Sequence, residues 1–131
     1  MFVDASAIVA IIGGEAEKLE LRAKLQDAPV TLLSALCIYE ASLGLARQTQ
    51  GMVADSIELV EDFVKETSAT VMPIDGEIAK LALDAHIRFG KGRHRAALNM
   101  GDCFAYACAK VRHVPLLFKG DDFIHTDIEI A

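Results

Sequence analysis

The sequence has no long apolar run, and none approaches the roughly 20 residues that a helix needs to cross a bilayer. Its start, Met-Phe-Val-Asp, places a charge at Asp4. A secretory signal would instead have a basic segment followed by an uninterrupted apolar stretch. Both absences argue against a membrane or exported protein, and we therefore expect a cytoplasmic location.

Cysteine is scarce. The three cysteines, Cys37, Cys103 and Cys108, are odd in number and show no C-x-x-C spacing. This pattern favours neither a zinc site nor a disulfide framework. Because all three lie among apolar or small residues, we expect buried, unreactive thiols.

An excess of basic charge is also missing. Lys and Arg total 13 against 19 Asp and Glu, which gives a net charge of −6. A passive basic clamp on nucleic acid is therefore disfavoured. The charge balance still permits a metal-dependent nuclease, in which carboxylates hold a cation and the cation meets the phosphate. It also permits docking by a basic partner.

The composition that is present suits one compact domain over residues 1–131, because 53% of the residues are hydrophobic and no low-complexity tract interrupts them. Short apolar or β-branched runs predict strands at Met1–Val3, Pro29–Leu32, Thr70–Ile74 and Val114–Phe118, with helices between them. This alternation predicts an α/β fold with a mainly parallel sheet. In such folds ligands bind outside the carboxyl ends of the strands.

Glu40 is the most informative acidic residue. On a helix, its neighbours three and four positions away are Leu36, Cys37, Leu43 and Gly44, and none of them is a cation. A carboxylate on such a face is costly to bury unless a cation or a donor meets it. Glu40 therefore either reaches water at a helix edge or belongs to a functional site, and we favour the functional site.

Other acidic residues follow predicted strands or open a helix. Asp4 follows the first strand, Asp102 opens a late helix, and Asp121 and Asp122 follow the last strand. Each has a structural explanation as a helix cap, a partner of the helix dipole or a turn residue. A cleft that gathered all of them would raise their pKa values by mutual repulsion, which a divalent cation would remove. Mg²⁺, which prefers oxygen ligands, suits such a cleft.

Four stretches stand in a specific order and spacing. They are Phe2-Val3-Asp4-Ala5-Ser6-Ala7, then Ser34 to Ala41 ending in Tyr39-Glu40-Ala41, then Leu98-Asn99-Met100-Gly101-Asp102-Cys103-Phe104-Ala105-Tyr106-Ala107, and finally Leu116-Leu117-Phe118-Lys119-Gly120-Asp121-Asp122-Phe123 with Thr126-Asp127-Ile128 after it. With these stretches the sequence resembles VapC toxins of the PIN-domain family over nearly its whole length.

The resemblance implies a three-layer α/β/α sandwich around a parallel sheet, with a metal site made of acidic residues. It assigns Asp4, Glu40 and Asp102 to the metal. The fourth acid is assigned to Asp121, although the adjacent Asp122 matches nearly as well. The Ser or Thr that such proteins carry near the first acid matches Ser6.

The resemblance also implies a function. VapC toxins are Mg²⁺-dependent endoribonucleases, for which Mn²⁺ is a possible substitute. In the expected reaction, metal-activated water attacks the phosphodiester bond of an RNA substrate. These toxins form homodimers, and a VapB-type antitoxin inhibits them in heterotetramers or larger assemblies. We expect the same partners here.

Two surface features leave alternatives open. Arg93 and Arg95 belong to the one basic cluster, which either holds RNA phosphates near the cleft or is a solvated loop. The segments Glu15–Asp27 and Met52–Thr67 carry apolar residues that either fill the core or accept an antitoxin helix.

Two other functions compete with the ribonuclease hypothesis. A receiver-like phosphoacceptor domain also places Mg²⁺-binding acids at strand ends, but it needs an acidic pair after the first strand, where Asp4 stands alone. The second alternative is a PIN-like module that only binds a partner.

Overall fold

The computed structural model describes residues 1–131 and contains one four-stranded, fully parallel sheet. The strands lie side by side in the order β3-β2-β1-β4. Their bounds are β1 Phe2–Val3, β2 Leu32–Ser34, β3 Thr70–Met72 and β4 Leu116–Leu117. In register, Phe2 lies opposite Leu32 on one side and Leu116 on the other.

Six α-helices connect and flank the strands, and none of them is long and apolar enough to cross a membrane. Their bounds are α1 Ala5–Ile12, α2 Lys18–Asp27, α3 Ala35–Thr49, α4 Val53–Glu66, α5 Gly76–Phe89 and α6 Met100–Arg112. A short 3₁₀ turn, Phe123–His125, follows β4.

The chain direction places the helices in two outer layers. Crossovers between parallel strands are right-handed, so the steps from β1 to β2 to β3 put α1 to α4 on one face. The return from β3 to β4 puts α5 and α6 on the opposite face. In agreement, α1, α3 and α4 contact one another, and α5 contacts α6. The predicted α/β fold with a mainly parallel sheet is confirmed.

The sheet is buried on both faces, and its residues are apolar for that reason. Phe2, Val3, Leu33 and Leu116 have no exposed surface. They belong to one core cluster of 33 buried residues that extends into both helical layers. Burial of this apolar surface supplies the main driving force for folding.

All four strand bounds differ from the sequence-based expectation. β1 begins at Phe2 instead of Met1, and β3 ends at Met72 instead of Ile74. The second strand, predicted at Pro29–Leu32, is shifted to Leu32–Ser34, because Leu32, Leu33 and Ser34 are the buried residues that pair with β3. The predicted strand Val114–Phe118 shrinks to the two residues of β4 because its neighbour β1 offers only two partners.

Candidate active site

The site lies where the strand order reverses. β1 pairs with β2 on one side and with β4 on the other, and α/β folds bind ligands at such a switch point. Asp4 directly follows β1, and its main-chain N–H donates to the Leu117 carbonyl oxygen at 2.9 Å. The ends of β1 and β4 are therefore held together at the carboxyl edge of the sheet.

Asp4 is buried and held in place by Ser6. Its Oδ2 accepts the Ser6 main-chain N–H at 2.9 Å and the Ser6 hydroxyl at 2.5 Å, so Asp4 caps α1. The Ser6 Oγ in turn accepts the Lys119 main-chain N–H at 3.0 Å. Burial raises the pKa of Asp4, although the Ser6 bonds oppose that rise. Ser6 thus ties the first acid to the chain that leaves β4.

Glu40 projects from α3 toward the start of α6. Its side chain is half-buried and lies against Gly101, where a Cβ atom would overlap the carboxylate. Burial, followed by the charges of Asp4 and Asp102, raises the pKa of Glu40 to about 7. The carboxylate is thus near the other acids, as a shared site requires.

Asp102 occupies the first turn of α6 and completes a capping box. Its Oδ2 accepts the Asn99 main-chain N–H at 2.8 Å, and the Asn99 Oδ1 accepts the Asp102 main-chain N–H at 3.0 Å. Burial raises the pKa of Asp102 to about 6 against the effect of the Asn99 bond, and the charges of Asp4 and Asp122 add to the rise.

Asp121 and Asp122 lie in the turn after β4, and both are exposed. The turn depends on Gly120, whose φ of +102° is rarely adopted by residues with a side chain. Asp122 is the member of the pair whose negative charge raises the pKa values of both Asp4 and Asp102. The resemblance assigns the fourth acid to Asp121, whereas the charge that acts on Asp4 and Asp102 is that of Asp122.

The donor set consists of carboxylate oxygens and fits a hard divalent cation such as Mg²⁺ or Mn²⁺. No group of three or more His, Cys, Asp or Glu side chains is already gathered in metal-holding geometry. The structure instead has carboxylates whose charges repel across a shared space. A dication would convert this repulsion into attraction.

Some residues of the basic cluster form hydrogen bonds within the protein, and others are exposed without an ion-pair partner. Arg88 pairs with Asp127, and the half-buried His94 accepts the Ala96 main-chain N–H at its Nδ1. Arg93 and Arg95 are exposed, and no salt bridge engages them. They belong to the loop directly before α6, which carries Asp102 in its first turn.

Arg88, Tyr106, Lys110 and Asp127 form what we call the C-terminal clamp. Asp127 accepts the Tyr106 hydroxyl at 2.5 Å and Arg88 Nη2 at 2.9 Å, and Lys110 Nζ donates to its main-chain oxygen at 2.9 Å. Burial alone would raise the pKa of Asp127, but the bonds from Tyr106 and Arg88 lower it to about 2. The clamp holds the segment after the Asp121–Asp122 turn against α5 and α6.

Two residues at the site were not identified from the sequence. Lys119 donates its main-chain N–H to Ser6 and forms ion pairs with Glu15 and Glu17. The available signal in the sequence was a cation directly before Gly-Asp-Asp. Gly101 makes room for Glu40, a contact between distant parts of the chain that no local pattern indicates.

The predicted burial of the cysteines is confirmed, since Cys37, Cys103 and Cys108 are all buried and free of disulfides. Desolvation raises the pKa of the Cys37 thiol to about 12 and those of the other two to about 11. The thiols are therefore protonated and unreactive near neutral pH.

Comparison with known proteins identifies the family. The sequence model of the PIN domain family matches residues 1–129. A VapC ribonuclease of Rhizobium meliloti (strain 1021) is 42% identical, and the alignment covers 97% of this chain and 98% of the relative. Ribonuclease VapC of Mycolicibacterium smegmatis (strain ATCC 700084 / mc(2)155) is 38% identical, with 98% and 97% covered.

A solved structure has the same fold. The crystal structure of Mycobacterium tuberculosis VapC20, described as a toxin that cleaves the sarcin-ricin loop, matches with a TM-score of 0.72 at 17% identity. The match covers 98% of this chain and 97% of that one. The family model spans nearly the whole sequence, and relatives match from end to end. This chain therefore belongs to the PIN-domain family, among the VapC ribonucleases.

Proposed function

We propose that this chain is the toxin of a VapBC toxin–antitoxin pair and acts as an Mg²⁺-dependent endoribonuclease, with Mn²⁺ as a possible substitute. One observation carries the proposal: Glu40 and Asp102, from separate parts of the chain, lie close enough to Asp4 for its charge to add to the burial that raises both of their pKa values. Such repulsion costs stability and is relieved by a bound dication. The proposal includes the cytoplasmic location expected from the sequence, since intracellular RNA is the substrate.

Asp4, Glu40 and Asp102 would hold the cation, together with one acid of the turn after β4. For that fourth position we propose Asp122, because its charge acts on two of the other three acids. Ser6 supports the site by holding Asp4 through Oδ2. A divalent cation at such a site supplies positive charge for a phosphate oxygen and increases the acidity of water.

The RNA backbone would approach across the loop before α6. Arg93 and Arg95 are exposed there and free of salt bridges, so both guanidinium groups are available for phosphate oxygens. Arg88 is committed to the C-terminal clamp and is not part of this surface. The two arginines supply local positive charge that the acidic chain otherwise lacks.

The antitoxin would dock on α2 and α4. A groove of about 600 Å³ lies between these helices, lined in part by Leu25 and Phe63. Further apolar side chains of α2 and α4 remain exposed, including Leu19 at 80% and Leu59 at 49% of their surface. These features suit an amphipathic antitoxin helix. Co-purification with a VapB-type protein, weakened by Leu59→Asp, tests this contact.

A homodimer is the proposed state of the free toxin. The α5–α6 side carries a second, mainly apolar groove of about 420 Å³, and Leu83 and Met100 at its edge are each 65% exposed. Light scattering of the purified chain measures the dimer directly, and a heterotetramer or larger complex is expected with the antitoxin.

The enzymatic proposal is tested by incubating purified protein with total RNA in Mg²⁺, Mn²⁺ or EDTA and sequencing the new ends. Cleavage is expected only with a divalent ion and should be lost in Asp102→Asn. Because water is the nucleophile, the products should carry 5′-phosphate and 3′-hydroxyl ends. Asp62→Asn is the matched control, since Asp62 is an exposed acid of α4 paired with Lys65.

Three outcomes would contradict the proposal. Cleavage that resists EDTA, or products with 2′,3′-cyclic phosphates, would rule out the metal–water chemistry. If folded protein that binds Mg²⁺ left the RNA intact, this result would favour the non-catalytic PIN-like module. The receiver-like alternative has lost its support, because the chain belongs to the PIN-domain family and Glu40 lies within α3.

A further inference from the structure

We propose that Gly101 is a positioning residue whose missing side chain leaves the space in which the Glu40 carboxylate lies. Gly101 is buried in the first turn of α6, and Glu40 reaches it from α3. A Cβ atom at position 101 would overlap both carboxylate oxygens and the carboxyl carbon of Glu40. Either residue 101 has no side chain, or Glu40 must lie elsewhere.

The backbone gives no other reason for glycine here. Gly101 lies outside the left-handed region, which in this chain contains Gly14, Gly92 and Gly120 among the glycines. At an ordinary helical position alanine is favoured over glycine by up to about 1 kcal/mol. Glycine therefore makes the helix less stable than alanine would, but it leaves space for the Glu40 carboxylate.

Gly76 provides the comparison within the same molecule. It is the first residue of α5, its φ is also outside the left-handed region, and no heavy atom lies within 4 Å of where its Cβ would be. Both glycines occupy the first turn of a helix with an Asp or Asn cap. They differ in that only Gly101 has a carboxylate against it.

The close approach determines where two acids lie relative to each other. Asp102 follows Gly101 directly and is fixed to the helix start by the capping box with Asn99. With Glu40 against Gly101, both carboxylates lie at the amino end of α6, where the helix dipole favours negative charge. Displacement of Glu40 by a methyl group would change its position relative to Asp102. The consequence for metal binding rests on the proposed function, whereas the steric coupling does not.

The steric coupling is tested by a double-mutant cycle on the metal-free full chain in EDTA, with thermal unfolding as the readout. Because the displaced atoms are the end of the flexible Glu40 side chain, Gly101→Ala should have a small effect on Tm, and this effect should differ between the wild type and Glu40→Ala. In a Glu40→Ala background the same change should leave Tm unchanged or raise it, as Gly76→Ala should in the wild type. If Gly101→Ala does not fold alone, the double variant should still fold. An equal change of Tm in both backgrounds would overturn the proposal.

The positioning role has a second readout that simple destabilisation does not change. Below the Tm of every variant, Mn²⁺ affinity is measured by calorimetry and by the electron paramagnetic resonance signal of free Mn²⁺. Gly101→Ala should weaken binding about tenfold, and Gly76→Ala should not change it. Unchanged Mn²⁺ affinity in Gly101→Ala would overturn the positioning role. If the wild type binds no Mn²⁺ while the Tm coupling holds, the proposed metal function fails and the steric role of Gly101 stands.

Discussion

The acidic cluster predicts an unusual pH dependence of stability, which Glu40→Gln isolates. The pKa of Glu40 is raised from 4.5 to about 7. A carboxyl group with a raised folded-state pKa stabilises the fold fully below its unfolded pKa, and that stability is lost as pH rises through the folded value. The free energy of unfolding of the metal-free protein should therefore fall between about pH 4.5 and 7.

The expected size follows from the burial of Glu40. At about 1.4 kcal/mol per pH unit, the difference between 4.5 and about 7 corresponds to roughly 3 kcal/mol. Because Glu40 is only half-buried, screening by solvent and salt leaves about 1–2 kcal/mol. Glu40→Gln keeps the shape of the side chain without the charge, so it should be more stable than the wild type by about that amount at pH 8 and equally stable below pH 4.5.

The assay is urea unfolding in EDTA at several pH values between 4 and 8, with Glu58→Gln as the control at an exposed position of α4. The free energy of unfolding should fall more steeply with pH in the wild type than in Glu40→Gln. In Glu40→Gln the free energy of unfolding should still fall somewhat with pH, because burial raises the pKa of Asp102 to about 6 as well. Saturating Mg²⁺ should stabilise the wild type most at high pH.

One result would refute this reasoning. If wild type, Glu40→Gln and Glu58→Gln lose stability with pH in parallel, the Glu40 carboxylate is neither desolvated nor repelled by its neighbours. The argument for a shared cation site would then lose its electrostatic basis.

Three further predictions concern separate parts of the site. Asp122→Asn should weaken Mg²⁺ binding more than Asp121→Asn, as calorimetry can measure, and the reverse order would return the fourth position to Asp121. Replacing Arg93 and Arg95 together with alanine should weaken RNA binding and flatten its dependence on salt by up to about 1.4 in log–log slope; unchanged affinity and slope would leave these arginines as solvated loop residues. Tyr106→Phe removes the hydroxyl donor of the C-terminal clamp and should lower the free energy of unfolding by about 1 kcal/mol in urea titrations, whereas no change would mean that the hydroxyl contributes no net stability.

Much of the fold was predictable because its signals are local. Alternating apolar strands and helices predicted the parallel sheet, and the acids that follow β1 and β4 were expected at one edge because parallel strands end together. The exact strand bounds were not predictable from each segment alone. A β-ladder extends only as far as its neighbour allows, and β1 has two residues.

The contacts that could not be predicted join distant positions. Glu40 and Gly101 come together only after α3 and α6 have packed, and Arg88 meets Asp127 across 39 positions in sequence. The choice between Asp121 and Asp122 depends on how the turn at Gly120 orients two adjacent side chains. Identical residue types at neighbouring positions carry no signal that separates them.

Helix capping has a practical consequence for mutagenesis. Asp4 caps α1 and Asp102 completes the capping box of α6 with Asn99, each through an oxygen that accepts a main-chain N–H, so the same side chains organise secondary structure before any ligand arrives. An alanine at either position removes a capping hydrogen bond as well as a charge, at a cost of about 1 kcal/mol. Loss of activity in such a variant would mix folding defects with lost chemistry. Asparagine retains an accepting oxygen and is the cleaner substitution at both positions.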